Sequence, residues 1–537
     1  MEGTWTFDGF TFTLDHAQAD PYASPSKARV KVAHSYAQFP VELCDTALRR
    51  TALADYLLRS LYDVCTSKSY DEKLQGGGWS GAKGGQIQVD VPGQQVLERT
   101  AVIIDEEGVE VRLALGLPAR GRSIMGLCEN IPHMVQHALL YSSHNSTHLA
   151  QHVHAVEDQE ALRDLLPQHG LVAFVPNGAL LPRASGASDQ PLQGCVPFAS
   201  PPSLQVTLPL PHKGSISGMG LRQGQLCVCV GGGFHGKSTF LAALALGAYN
   251  HVPGDGREFV CTTEQVVSIR SEDGRSIQHV DISPFIKNLP NKGNTTSFCT
   301  TNASGSTSCA ASLMEALEID AELLILDEDT VASNFLVRDR TMQALVPNEP
   351  ITPLVAQVRS LVDTTGVALV LVCGSSSAFL PNADTVLQMD CYEMKDVTQK
   401  AQQLCKTLSK EQWPVTMTSF RAPAPRELQL PLPGGKTATR HRSVIHIGDD
   451  ALNLYAVPQL VHASQTRAIE TLLRRWAGAV PHSVRLKALI DSVSGEWDRQ
   501  GMYYLQDKHL DGFLARPRKI DLAQALNRMR HVSWRTI

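Results

Sequence analysis

The chain has 537 residues, enough for two or three domains with a large buried core, and its 43% hydrophobic and 19% charged content is that of a folded globular protein. No apolar run approaches the roughly 18 residues of a membrane-spanning helix, which excludes a fused membrane transporter. The net charge of −5 is uneven: from Gly435 onward there are 16 Lys and Arg against 9 Asp and Glu, a local +7 that leaves −12 on the rest.

The first 26 residues hold Glu2, Asp8, Asp15 and Asp20 and no Lys or Arg, so no intact signal peptide or mitochondrial presequence is expected there, a processed or trimmed start staying open. Two helical stretches, "CDTALRRTALADYLLRSLYDV" and roughly 130–166, alternate with strand patterns such as "QIQVDV" and "VEVRLAL". They predict an N-terminal α+β domain over 1–195, closed by the Pro- and Ser-rich stretch 185–203. Lys83 lies in the glycine run 76–86, which reads as a loop rather than a phosphate site. His144, His148 and His152 have helical spacing, with His133, His137 and His154 nearby. Without an adjoining carboxylate or cysteine pattern they read as a polar helix face rather than a zinc site. The twelve cysteines form no Cys-x-x-Cys pair, and Cys227, Cys229 and Cys373 sit in apolar runs, as reduced core residues do.

The run "VGGGFHGKST", 230–239, fits G-x-x-x-x-G-K-[ST], with Gly231, Gly236, Lys237 and Ser238 at the fixed places. Gly232, Gly233, Phe234 and His235 fill the loop, and Thr239 follows it. The strand-like "LCVCV" before it and the helical "TFLAALALGAY" after it complete a strand-loop-helix unit. Glycines let the backbone approach a polyphosphate closely, and the helix start adds its positive dipole end. Lys237 then reaches the β- and γ-phosphates of ATP, and the Ser238 hydroxyl suits Mg²⁺. A second apolar strand, "LLILDED" at 323–329, ends in Asp327 and Glu328. Asp327 is placed to hold Mg²⁺ and Glu328 to orient and polarise the attacking water, the two catalytic residues being Glu328 and Lys237.

Upstream of that strand, "ASGST" at 303–307 opens a helix, and Ser304 stands 23 residues before Asp327. The spacing and the Ser304-Gly305 pair resemble the LSGGQ signature of ABC-class ATPases. Longer runs, including "GMGLRQGQLCVCVGGGFHGKST", "EDGRSIQHVDISPFIKNLP", "LLILDEDTVASNFLVRD" and "GFLARPRKIDLAQALNRMR", resemble the soluble predicted ATPases of the ABC class over nearly the whole chain. The resemblance implies an α/β P-loop domain of ABC class at 196–405, nucleotide contacts from Ser304, Gly305 and Ser306 across a homodimer, and ATP with Mg²⁺ as cofactors. Its kinetoplastid branch, associated with a mitochondrial RNA-binding complex, implies single-stranded RNA and an RNA-processing complex as partners, and the mitochondrial matrix as location.

Departures from the ABC pattern accompany it. Ser306 and Thr307 replace Gly and Gln, Asn334 takes the D-loop position, and Gly374 stands where a switch His is expected, with Ser375 or Ser376 as substitutes. Gln265 and Gln278 are the Q-loop candidates. A nucleotide-gated clamp with little hydrolysis is therefore the alternative to an ATPase. Residues 406–537 are expected to form an α-rich basic domain. RNA contacts are assigned to Arg516, Arg518 and Lys519 in "ARPRKI", with Arg120 and Arg122 of the "PARGR" loop, and "GGKTATRHR" at 434–442 adds a basic glycine loop. Its "GGKT" is no second P-loop, because Leu430 stands at the first glycine position.

Overall fold

A computed structural model describes residues 2–20, 23–67, 87–117, 124–408, 418–505 and 510–537. Arg120, Arg122 and Lys83 lie outside the described residues. The chain divides into two compact units, one of Met1–Asp158, His251–Pro253 and Glu496–Arg516, the other of Gln159–Asn250, Gly254–Gly495 and Pro517–Ile537.

In the first unit, strand Ser26–Ala33 alternates buried Ala28, Val30 and Val32 with outward Lys27, Arg29 and Lys31, the period of a half-buried strand. It lies between Phe10–His16 and Gly108–Leu115 in a mostly antiparallel sheet. Helix Ala47–Thr66, capped by the Thr46 hydroxyl on Arg49 N–H at 3.1 Å, buries Leu53, Leu57, Leu58 and Leu61 in the same core as that sheet.

The second unit holds the sheet that positions the site. Its strands are β1 (Leu226–Gly231), β2 (Val266–Ile269), β3 (Leu323–Asp327), β4 (Ala368–Cys373), β5 (Thr385–Asp390) and β6 (Glu393–Asp396), in the order β2-β3-β4-β1-β5-β6. The first five are parallel; only β6 runs back, through the two-residue turn Cys391-Tyr392, with φ of 48° and 72°. β2 and β4 are buried along their whole length, and β1 and β3 up to their C-terminal ends, as strands covered on both faces must be. Pairing sets Val230 beside Cys373, Gly231 beside Met389 and Asp327 beside Val372. The C-terminal ends of β1, β3, β4 and β5 therefore share one edge, the side on which open α/β sheets bind ligands.

Strand Leu171–Pro176 pairs with Gly214–Arg222 in a four-stranded antiparallel sheet of this second unit, so the chain changes unit near 158 rather than at 195. The Pro- and Ser-rich stretch is no linker; it includes a short hairpin pairing Arg183–Ser185 with Ser188–Pro191. Beyond 418 the helices Ala463–Ala477, Leu486–Gln500 and Lys519–Arg528 are joined by two three-stranded sheets. Strands of three to five residues give too short a period-2 signal to be read, so the expected α-rich domain is mixed.

Candidate nucleotide site

The phosphate loop runs from the end of β1 into helix α1 (Lys237–Leu246). Two glycines are required by geometry. Gly231 has φ 151°, and a Cβ there would stand 2.3 Å from Met389 O. Gly236 has φ 102°, with the Tyr392 ring 3.1 Å from any Cβ. Phe234 at the loop tip is fully exposed with φ 64°. Lys237 Nζ folds back to donate to Gly231 O and Gly232 O, each at 2.7 Å, so the ammonium sits inside the loop that a polyphosphate would line. The first-turn N–H groups of α1 have no partner within their own helix and are available to phosphate oxygens.

Ser238 Oγ donates to Asp327 Oδ2 at 2.9 Å, joining the loop to the end of β3. A hydroxyl and a carboxylate in contact form a hard-oxygen pair, which fits Mg²⁺. Next to it, Glu328 accepts from Gly374 N–H at 2.6 Å, from Ser375 N–H at 3.0 Å and from the Ser375 hydroxyl. Partial burial pushes its carboxyl up, but these donors outweigh it and hold the group below the usual carboxylate range. The expected switch position is thus filled by Gly374 and Ser375 acting on Glu328, and Ser375 is the serine of the pair whose hydroxyl reaches the carboxylate.

Ser304 stands at the N-cap position of helix α2 (Gly305–Glu318) without a capping bond to the helix N–H groups, and its Oγ lies 2.9 Å from Thr307 Oγ1 on an exposed face. Ser306 is buried, because the first turn of α2 faces it inward, so its side chain is turned away from the exposed face that carries Ser304 and Thr307. Gln265 precedes β2, beside Glu322 at the N-terminal end of β3, the far end from the phosphate loop. Gln278 Nε2 donates to Ser276 Oγ at 3.2 Å. The C-terminal end of β2 instead leads into Arg270, Ser271 and Glu272.

Sequence reasoning missed the β5–β6 turn. It places Tyr392 against Gly236 and gathers His235, Asp390 and Cys391 with ligand atoms within 4.8 Å of one another. No local signal links residues 155 positions apart; only the pairing of β1 with β5 does. Of the residues assigned to RNA, Arg518 needs correction. Arg518 is 8% exposed and bonds Asp521 together with the carbonyls of Glu264 and Val266 at 3.0 Å. Arg516 bonds Glu98 Oε2 at 3.3 Å and Asp498 Oδ1 at 2.5 Å and lies over the Trp497 ring, and Lys519 is 3.9 Å from Asp491. Arg518 is thus used inside the chain, whereas Arg516 and Lys519 form surface ion pairs with side chains 29% and 37% exposed.

A glycine loop between a central parallel strand and a helix is the frame of a P-loop nucleotide-binding protein. Family models match residues 145–426 as the ABC ATPase P-loop domain, 1–142 as the N-terminal domain of ATPases of the ABC class, and 436–535 as the MRB1590 C-terminal domain. The chain belongs to the ABC-class ATPase family, which implies ATP binding and ordinarily Mg²⁺. It is 32% identical over 189 residues to an uncharacterized protein, MJ1628, of Methanocaldococcus jannaschii, a match covering 34% of this chain and 42% of that protein. Among solved structures it is similar to cbiO1 of Clostridium perfringens, part of the ABC transporter complex cbiONQ, at 11% identity and TM-score 0.28, over 45% of this chain and 96% of that one. A second is MJ1267, an ATP-binding cassette of an ABC transporter in its ADP conformation, at 10% identity and TM-score 0.26, over 44% and 96%. Among the described residues no helix is long and apolar enough to cross a membrane.

Proposed function

We propose that the protein is a Mg²⁺-dependent ATPase that works as a homodimer and couples its nucleotide state to single-stranded RNA. The observation that carries the ATPase reading is the row Lys237, Ser238–Asp327 and Glu328 along one sheet edge. Lys237 holds the transferring phosphoryl group, and Ser238 and Asp327 would hold Mg²⁺, which when bound neutralises charge on the β- and γ-phosphates. Glu328, kept ionised, turns one oxygen from the 374–375 donors to a water. The water oxygen bonds to the γ-phosphorus as the bond to the ADP oxygen breaks, and Glu328 takes the water proton. Each chain has one P-loop and one Ser304 loop, so two chains are needed to close Ser304 and Gly305 of one on the nucleotide of the other.

The RNA part rests on the resemblance to the kinetoplastid branch and on the match to the MRB1590 C-terminal domain. An RNA-processing complex in the mitochondrial matrix is the setting that resemblance supplies. With Arg518 buried, the better supported contacts are Lys436, Arg440 and Arg442, exposed around the hairpin Thr437–Arg440/Val444–Ile447. A second reading, a nucleotide-gated clamp with little hydrolysis, is favoured by one observation: Glu328 has three donors and is occupied. Sedimentation of Glu328→Gln with ATP tests the dimer, which is expected to accumulate; monomer alone refutes it. Single-turnover hydrolysis separates the two readings, equal rates for wild type and Glu328→Gln removing the enzyme.

A further inference from the structure

Away from the phosphate loop, the second unit has an open cavity of about 580 Å³, whose wall carries the guanidinium groups of Arg270, Arg275, Arg528 and Arg530. Its volume is within the range of small-molecule sites. Glu272 and Asp273 share that wall; with Arg528 held by Glu272 and Arg275 by the buried Glu315, Arg270 and Arg530 are left against Asp273 alone, so the lining stays net positive by one charge. Glu272 is already committed, accepting from Arg528 at 3.0 and 2.5 Å, with Arg275 at 3.8 Å. The partners of Arg275 are Ser312 at 2.5 Å and Glu315, and its buried Nε has no hydrogen-bond partner among the described residues. Arg530 makes one long bond, 3.4 Å to Gly274 O, and Arg270 is exposed and makes no ion pair among the described residues. At the rim, the Tyr455 ring is 66% exposed.

The uncommitted guanidinium groups of Arg270 and Arg530 favour a phosphate, which takes planar forked donors bidentately. An exposed aromatic ring at the same opening favours a base, which stacks on it irrespective of sequence. We infer that this cavity binds a phosphorylated nucleotide, its phosphate on Arg270 and Arg530 and its base on Tyr455, as a site separate from the P-loop. A free mononucleotide and the 5′-phosphorylated end of an RNA strand offer the same chemistry.

Equilibrium dialysis on the full-length Lys237→Ala chain, in which the P-loop is disabled, tests this with labelled AMP, inorganic phosphate, and a short RNA carrying either a 5′-phosphate or a 5′-hydroxyl. AMP or the 5′-phosphorylated RNA is expected to bind saturably at one site per chain. Adding Arg270→Ala and Arg530→Ala should weaken binding about tenfold or more. Tyr455→Ala should weaken AMP about tenfold while leaving inorganic phosphate unchanged. All these side chains are at an open wall, and thermal melts of the variants should match the Lys237→Ala parent. Tighter binding of AMP assigns the free nucleotide; a preference for 5′-phosphate over 5′-hydroxyl RNA assigns the strand end. Failure of both AMP and the 5′-phosphorylated RNA to bind, or binding indifferent to the two arginine changes, overturns the inference.

Discussion

The loop at 231–238 carries one cation, Lys237, and the segment at 516–530 carries five, yet the fold uses them in opposite ways. At the loop, Lys237 is paired only with backbone carbonyls, at the open edge of a parallel sheet. Around 516–530, Arg518 and Arg528 are buried, each on its own carboxylate, Asp521 and Glu272. A guanidinium without water has to be paired, whereas a cation at a ligand site has to be left with capacity. Charge density in a sequence therefore does not locate a binding surface; a fixed spacing that ties a charge to a strand end does.

The largest effect that would break this contrast lies at the sheet edge. Glu328→Gln should lower single-turnover hydrolysis by about 10²–10⁴-fold, while ATP binding, measured by equilibrium dialysis, persists. Lys237→Ala should lose hydrolysis and the P-loop's share of ATP binding. Unchanged hydrolysis in Glu328→Gln would mean that the ordered row of side chains is not catalytic.

Next in size is the buried side of the comparison. Arg518→Ala leaves Asp521, which is fully buried, without its bidentate partner and should cost about 3–5 kcal/mol in urea unfolding, as removing one member of a buried pair does. If instead the variant keeps its stability and loses only RNA affinity, Arg518 is a surface contact after all.

Much of the site was legible because its chemistry fixes short intervals: glycines two positive-φ positions demand, a lysine and hydroxyl following, two carboxylates at a strand end. The buried strands "LCVCV" and "LLILDED" were legible as apolar runs, while the α/β P-loop frame around them came from the family resemblance. What was not legible depends on tertiary pairing. Tyr392 meets Gly236 only because β5 lies beside β1, and Ser306 faces inward only because α2 has its first turn packed. Likewise the burial of Arg518 rests on carbonyls some 250 residues away, which no local pattern announces.

A smaller effect sharpens the role of Ser375. The Glu328 carboxyl sits below the usual range because the 374–375 donors outweigh burial, so hydrolysis that needs it ionised holds at neutral pH and falls only as pH drops through that lowered value. Ser375→Ala removes the hydroxyl donor. The acid limb of kcat should move to higher pH, with kcat at neutral pH kept within about tenfold of wild type. An unmoved acid limb would leave Ser375 as a structural neighbour with no hold on the glutamate.

The smallest effect on the fold, and the sharpest test of where the usable charge is, concerns Lys436, Arg440 and Arg442. All three are exposed, and none has an ion pair among the described residues. Changing them together to Ala should alter unfolding free energy by no more than about 0.5 kcal/mol, because surface charges away from packed features contribute little. If they contact RNA phosphates, the same change should flatten the dependence of log affinity on log salt by about 2, each phosphate contact on a single strand carrying a slope of roughly −0.7. Filter binding of a labelled single strand at rising salt reads both the slope and the affinity. A variant whose slope equals that of wild type would move the RNA surface away from this hairpin.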